Sequence, residues 1–115
     1  MKKKKVLFIE DDKDLRDLLT IRLIKAGYIV STAQDGQMGL DEIKDKVPDV
    51  VALDLMLPKI RGEDICRAVR EDHDKRIARI PIIMMTAKLS DVDKVIGMVS
   101  GANRYLRKSF DSFAS

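Results

Sequence analysis

The hydrophobic residues of this chain follow two alternating patterns. Five short aliphatic or β-branched runs are bounded by charged residues, glycine or proline, which is typical of buried strands. The predicted strands are residues 6–9, 28–32, 50–53, 80–85 and a run near 105–106. The runs at 50–53 and 80–85 are almost entirely apolar, as expected of central strands in a parallel sheet.

Apolar residues at helical spacing occupy the segments between these runs. Asp12 or Asp14 could cap the first helix and Gly27 could end it, while Pro48 closes the second. Residues 90 and 101 (Ser and Gly) delimit the fourth, and the charged segment 71–79 is predicted to be a surface loop. The four apolar stripes are Leu15, Leu18, Leu19 and Leu23; Leu40, Ile43 and Val47; Ile65, Ala68 and Val69; and Val92, Val95, Ile96 and Val99.

Strands that alternate with helices predict right-handed βαβ units, in which helices cover both faces of a parallel sheet. A length of 115 residues fits one domain, here residues 1–115. No apolar run approaches the roughly 20 residues of a membrane-spanning helix, and a single cysteine cannot form an internal disulfide. We therefore expect a cytoplasmic protein that does not insert into membranes.

The net charge of +3 first suggests a nucleic-acid partner. Lys2 to Lys5 carry four positive charges, and subtracting these four from +3 leaves −1 for the rest of the chain. A domain of that charge is not expected to present a basic binding face. The sequence therefore predicts no direct nucleic-acid binding, and a solvated lysine run at the N-terminus.

Chemically active side chains follow four of the predicted strands. In an open parallel sheet, ligands bind beyond the carboxyl ends of the strands. The first strand ends in Glu10, Asp11 and Asp12, the third in Asp54 and the fourth in Thr86, and the fifth leads to Lys108. Carboxylates, a hydroxyl and an ammonium group are thus expected to meet at one edge of the sheet.

This set of groups suits phosphoryl transfer. Neighbouring carboxylates repel one another unless a cation intervenes, and magnesium prefers such oxygen ligands. An aspartate can act as a nucleophile toward phosphorus, and the transfer requires mainly alignment and neutralisation of charge. Asp54 is the candidate nucleophile, while Lys108 and Thr86 could contact the phosphoryl oxygens.

Four segments, residues 6–12, 49–58 with Gly62, 81–87 and 101–108, resemble the receiver domains of two-component response regulators. The resemblance implies a flavodoxin-like (CheY-like) fold, a doubly wound five-stranded parallel sheet of order 2-1-3-4-5. It also implies that a sensor histidine kinase donates a phosphoryl group to Asp54, and that the resulting change of conformation controls an output. Such a domain would catalyse only its own phosphotransfer and autodephosphorylation, and would not be an enzyme with an external substrate.

The resemblance also implies a ligand set for magnesium. Asp11 would bind the ion directly, Glu10 would act mainly through water, and the carboxylate of Asp54 would contact the ion as well. Met56 would contribute its backbone carbonyl, so its side chain need not be polar. Asp12 is expected to be a helix cap.

Three further roles follow from the resemblance. Thr86 falls on the switch hydroxyl, Lys108 on the phosphate-binding lysine, and Tyr105 on the aromatic residue that turns inward on activation. The family usually has proline after the lysine, in a cis peptide, whereas this chain has Ser109. Since a cis bond without proline costs about 3–4 kcal/mol, we expect the Lys108–Ser109 bond to be trans.

Two other departures concern partners. Asn103 and Arg104 replace two acidic residues that help some family members to dimerise, which puts that mode of dimerisation in doubt. The sequence stops at Ser115, where a fifth helix is expected, so that the last helix is largely missing. We therefore expect an exposed strip of sheet that promotes self-association or binds a downstream output domain or protein.

Two alternatives to a phosphorylated switch remain open. One is a receiver-like interaction module that works without phosphorylation. The other is a metal-dependent phosphatase or related enzyme, but Met56 stands where the haloacid dehalogenase type of phosphatase would have aspartate.

Cys66, beside the third apolar stripe, is expected to be a half-buried and unreactive thiol.

Overall fold

Four parallel strands form a sheet with helices on both faces in a computed structural model of the chain, which describes residues 3–54, 57–85, 92 and 96–99. Val92 and residues 96–99 are helical. None of the helices in the described part of the chain is long and apolar enough to cross a membrane. The elements in chain order are β1 (Lys5–Ile9), α1 (Lys13–Lys25), β2 (Ile29–Ala33), α2 (Gly36–Lys46), β3 (Val50–Asp54), α3 (Gly62–Arg70), α4 (Lys75–Ala78) and β4 (Ile82–Met85).

The described strands have the order β2-β1-β3-β4, and all neighbouring pairs are parallel. This agrees with the first four positions of the predicted order 2-1-3-4-5. The fifth predicted strand, near residues 105–106, lies outside the described residues. The α/β architecture and the strand order are therefore confirmed for four strands.

Side chains alternate strictly between the two faces of the central strands. Leu7, Ile9, Val51 and Leu53 belong to one buried cluster, which also contains residues of α2, α3 and α4. The intervening strand residues belong to a second cluster with α1, and they are Val6, Phe8, Val50 and Ala52. Because both faces are covered, these strands have no polar face, which explains their continuous apolar sequence.

The first helix begins as predicted, but one residue in each of the first two predicted apolar stripes differs from prediction. Asp12 is the N-cap of α1, where its side chain accepts hydrogen bonds from the backbone of Asp14 and Leu15. Leu18, predicted to lie on the buried stripe, is 36% exposed, because it lies a quarter turn away from the line that faces the sheet. Val47, assigned to the second stripe, follows α2 as its C-cap with φ 45°. The ring of Pro48 disfavours the helical conformation of the preceding residue, Val47, and α2 therefore ends at Lys46.

The third helix and the segment after it correct two predictions. Ala68 is exposed, whereas Cys66 is buried together with Ile65 and Val69. Cys66 is thus more buried than expected, and that burial raises the pKa of its thiol. The segment 71–79 is not only a loop, because it contains the short helix α4, which Asp74 caps and whose Ile77 is buried. The charged residues around Ile77 concealed this helix in the sequence.

The expected open strip of sheet is absent from the described strands. The side chains of Phe8, Ala52 and Ile83 on the α1 face are fully buried. The helical residues Val92 and Val99 are buried in the same cluster, and they help to cover this face. The prediction of an uncovered sheet is therefore wrong for these strands, and the prediction of self-association stays untested.

The start of α2 allows a test of this packing. An added methyl group on the buried Gly36 would lie 2.7 Å from Cβ of Ile60 and 3.0 Å from its carbonyl oxygen. We expect Gly36→Ala to lower the free energy of unfolding by about 1–3 kcal/mol, because the segment 57–61 must move to relieve the overlap.

Gly97 provides the matched control, since it is helical, exposed and has no heavy atom within 4 Å of an added Cβ. Gly97→Ala should be neutral or raise the free energy of unfolding by up to about 1 kcal/mol. Urea denaturation followed by circular dichroism measures both. Equal effects in the two variants would contradict the crowding assigned to Gly36.

Candidate functional site

The pairing of β1 with β3 places two carboxylates side by side. Ile9 pairs in register with Leu53, so that the next residues, Glu10 and Asp54, lie at adjacent strand ends about 5 Å apart. The backbone N–H of Glu10 donates to the carbonyl of Ala33 at 2.9 Å, which anchors the end of β1 to β2 as well. Both carboxylates are buried, with 2% of Glu10 and 7% of Asp54 exposed.

Asp11 completes a group of three carboxylates. One oxygen from each of Glu10, Asp11 and Asp54 lies within 4.8 Å of the others, and Asp11 is the exposed member. Oxygen ligands of magnesium lie about 2.1 Å from the ion, which puts them roughly 3–4 Å from one another. The group is therefore close to the size of a magnesium shell, and the exposed Asp11 lies on the side open to solvent.

The environment of the Glu10 carboxyl favours a neighbouring cation. Its Oε2 accepts a hydrogen bond from the backbone of Asp12 at 3.1 Å, while its buried Oε1 has no partner in the described part of the chain. Burial, followed by the neighbouring Asp11 carboxyl and the charge of Asp54, raises the pKa of Glu10 to about 8. A buried, unpaired carboxylate oxygen is costly, and a cation at this place would compensate it. These residues thus fit a divalent metal ion.

The loop that carries the acidic residues is held by α1. The side chain of Asp12 caps the helix, accepting from Asp14 N at 2.9 Å and from Leu15 N at 3.2 Å. Arg16 donates from Nη1 to the carbonyl of Glu10 at 2.7 Å. The role of Arg16 was not predicted. The sequence shows only that a cationic residue follows the N-cap by four positions, and this does not identify its partner. Together these bonds restrict the orientation of residues 10–12.

A second pair of residues holds the segment that follows β3. The buried carboxylate of Asp35 accepts from the backbone of Met38 at 2.9 Å and pairs with Lys59 Nζ at 3.3 Å. The hydrogen bond from Met38, followed by Lys59, lowers the pKa of Asp35. Lys59 has φ 71°, a conformation that L-residues rarely adopt. Asp35 and Lys59 lie 24 residues apart, and no local pattern predicted that they would meet.

The structure brings together three of the predicted site residues, Glu10, Asp11 and Asp54. Asp54 also pairs in register with Met85 of β4, so the ends of three strands meet at this edge. The other predicted site residues, Met56, Thr86, Tyr105 and Lys108, lie outside the described residues, as does the Lys108–Ser109 bond. Their roles stay predictions.

Comparisons with known proteins agree with this architecture. A family model described as the response regulator receiver domain matches residues 6–113. The chain is 31% identical to the chemotaxis response regulator CheY4 of Vibrio cholerae, with a TM-score of 0.69, over 87% of this chain and 82% of that one. A putative response regulator from Chloroflexus aurantiacus is 32% identical, with a TM-score of 0.67, over 89% and 82%.

One further match supports the fold alone. The signal receiver domain of a signal transduction histidine kinase from Syntrophus aciditrophicus has a TM-score of 0.73 at 21% identity. It covers 90% of each chain. The same arrangement of strands and helices is therefore found at low sequence identity.

The raised pKa of Glu10 predicts how stability depends on pH when no metal is present. The folded pKa of about 8 lies above the ordinary value of 4.5, so the folded state holds the proton more tightly than the unfolded chain. Between these two values the free energy of unfolding should fall as pH rises, because the unfolded chain loses this proton while the folded state retains it.

Urea denaturation in EDTA, at pH values from about 5 to 8, measures this trend. The variant Glu10→Gln is the control, since it keeps the shape of the side chain but cannot ionise. Its free energy of unfolding should depend less on pH than that of the wild type over this range. Parallel pH profiles would show that Glu10 titrates normally.

Proposed function

Since the chain belongs to the response regulator receiver domain family of two-component signalling, we propose that it accepts a phosphoryl group on Asp54 from a sensor histidine kinase. We propose that the transfer depends on magnesium and that the resulting change of conformation controls an output. The observation that carries this proposal is the meeting of Glu10, Asp11 and Asp54 at the carboxyl edge of the sheet.

Asp54 would be the nucleophile. A carboxylate oxygen of Asp54 attacks the phosphorus of the donor phosphohistidine, the P–N bond breaks, and the imidazole leaves with the electron pair. An aspartyl phosphate is formed. The position of Asp54 at the end of β3, between β1 and β4, limits its movement and supports in-line attack.

The acidic partners of Asp54 would hold the metal. Asp11, the exposed member, is proposed as a direct ligand, and Glu10 as a ligand through water, with the backbone carbonyl of Met56 as a further contact. The chemistry that magnesium supplies in such a site is neutralisation of charge on the phosphoryl oxygens. The Oε1 of Glu10, which has no hydrogen-bond partner among the described residues, supports a cation at this place.

The remaining roles rest on family membership. Lys108 and Thr86 are proposed to contact the phosphoryl oxygens, and Thr86 and Tyr105 to carry the change of conformation. We propose that the chain is not an enzyme with an external substrate, and that it catalyses only its own phosphotransfer and autodephosphorylation. A phosphorylation-independent interaction module remains the alternative, and the gathered carboxylates favour phosphorylation over it.

Helix α1 offers a surface for the phosphodonor. It begins beside the acidic edge and leaves three large apolar side chains partly exposed, Leu18, Ile21 and Ile24. Apolar surface on a helix that begins beside the acidic edge suits a protein partner that delivers its phosphohistidine to Asp54. The chain would then act in the cytoplasm together with its kinase.

Self-association and binding of an output domain or protein remain further proposed interactions, and direct nucleic-acid binding is not proposed.

Phosphorylation by a small donor tests the acceptor. We expect acetyl phosphate with magnesium to add one phosphoryl group to the wild type and none to Asp54→Asn, because an amide oxygen is a poor nucleophile. Asp41→Asn is the control, since Asp41 is an exposed acid on α2 outside the acidic group. Intact-mass spectrometry measures the product. Equal modification of wild type and Asp54→Asn would exclude Asp54 as the acceptor.

Magnesium binding has a readout that does not require phosphorylation. Millimolar magnesium should raise the melting temperature of the wild type, because the ion binds only the folded state. Asp11→Ala should remove most of this increase, whereas Asp41→Ala should keep it. An increase that persists in Asp11→Ala would show that Asp11 is not a ligand. The increase should also become larger as pH rises toward 8, since binding requires deprotonated carboxylates.

A further inference from the structure

A groove lies at the end of the sheet opposite the acidic group. Its volume is about 600 Å³, and it is open to solvent along one side. Three segments form its walls: the start of β1, the turn from α2 to β3, and the residues from α4 to β4. β1 runs from this end at Lys5 to the acidic end at Glu10, so about 16 Å separate the two ends.

Positive charge dominates this groove. Its lining contains five cationic side chains and two carboxylates, Asp45 and Asp49, so its net charge is 5 − 2 = +3. Lys46 pairs with Glu42 and Arg76 with Asp74, but no ion pair in the described part of the chain uses Lys44 or Arg79. Both of these side chains are exposed. The groove thus presents at least two cations that have no acidic partner among the described residues.

The walls are held in place by hydrogen bonds. Lys5 donates from its backbone N–H to Asp49 Oδ2 at 2.7 Å and from Nζ to the carbonyl of Lys46 at 3.0 Å. On the opposite wall, Arg70 donates to the carbonyls of Ala78 and Ile80 at 3.1 and 2.8 Å, on either side of Arg79. A groove ordered in advance requires little rearrangement on binding, which favours affinity.

We propose that this groove, which we call the basic groove, binds an acidic peptide segment of a partner protein that has an apolar residue between its carboxylates. Lys44 and Arg79 would pair with the carboxylates. The apolar residue would contact the uncharged part of the lining, which consists of Val47, Pro48, Ile80 and Pro81.

The composition of the lining favours a peptide over a nucleic acid. Asp45 and Asp49 repel any anion, but a phosphate backbone has a charge at every residue and no N–H groups that could donate to these carboxylates, whereas a peptide can place uncharged residues beside them. A peptide does have backbone N–H groups, and these can donate hydrogen bonds to the exposed carboxylate of Asp45. The apolar lining residues likewise suit a side chain better than a phosphate.

The basic groove contains none of the proposed phosphorylation residues. A partner bound there would leave the acidic edge open, so that docking and phosphorylation can take place on one molecule. This inference does not depend on the proposed function, and the two can fail separately.

Fluorescence anisotropy with a labelled peptide tests the proposal. The probe is an eight-residue peptide with six acidic residues and two leucines, titrated with the full chain at moderate ionic strength. We expect the double variant Lys44→Glu with Arg79→Glu to bind about tenfold more weakly or worse. The matched control is Lys25→Glu with Arg67→Glu, since both cations are exposed, lie outside the groove and give the same change of −4 in net charge. The control should bind as the wild type does.

Each result decides the proposal. Selective loss in a groove variant whose circular dichroism spectrum matches that of the wild type supports it. A groove variant that fails to fold is replaced by Lys44→Gln with Arg79→Gln, for which the same selective loss is expected. Equal loss of binding in the groove variant and in the control variant would show that binding depends only on net charge, and it would overturn the proposal. Absence of binding, or tighter and groove-dependent binding of a DNA duplex or of polyphosphate, would overturn it as well.

Discussion

The hydrogen-bonded register between β1 and β3 holds Glu10 beside Asp54, and the other features of the acidic edge depend on it. The charge of Asp54 repels that of Glu10, and burial already disfavours the charged form of Glu10. The fold accepts this cost because apolar side chains bury both faces of the same strands. The consequences are the pKa of Glu10, raised to about 8, and an Oε1 without a hydrogen-bond partner among the described residues. A cation would compensate both, and this is the reason to expect metal binding.

Around this edge, the structure restrains the backbone at both neighbouring loops. Arg16 and the cap at Asp12 hold the loop after β1, and the pair of Asp35 with Lys59 holds the segment after β3. Both restraints use charged groups, whose hydrogen bonds are stronger than those between neutral groups. These bonds restrain the backbone near the acidic group, which suits a reaction whose rate depends on alignment.

Charge is separated along the strands, so that the two edges of the sheet carry opposite charge. The acidic group occupies the carboxyl edge, whereas the basic groove occupies the amino edge. The net charge of +3 did not reveal this separation, because it is a sum over both ends of the molecule. Parallel strands bring all their starts to one edge and all their ends to the other, so cations distant in sequence, such as Lys44 and Arg79, lie along one groove.

The sequence by itself determined the α/β class, the succession of the four described strands along the chain and the carboxylates of the acidic edge. These follow from short-range patterns: continuous apolar runs, helical stripes, and acids placed directly after strands. Only the tertiary structure decided the helix α4, the exposure of Leu18, the burial of Cys66, the pairing of Asp35 with Lys59, and the basic groove. Each of these depends on which distant segment packs against a residue, and residues far apart in the chain leave no local pattern when they meet.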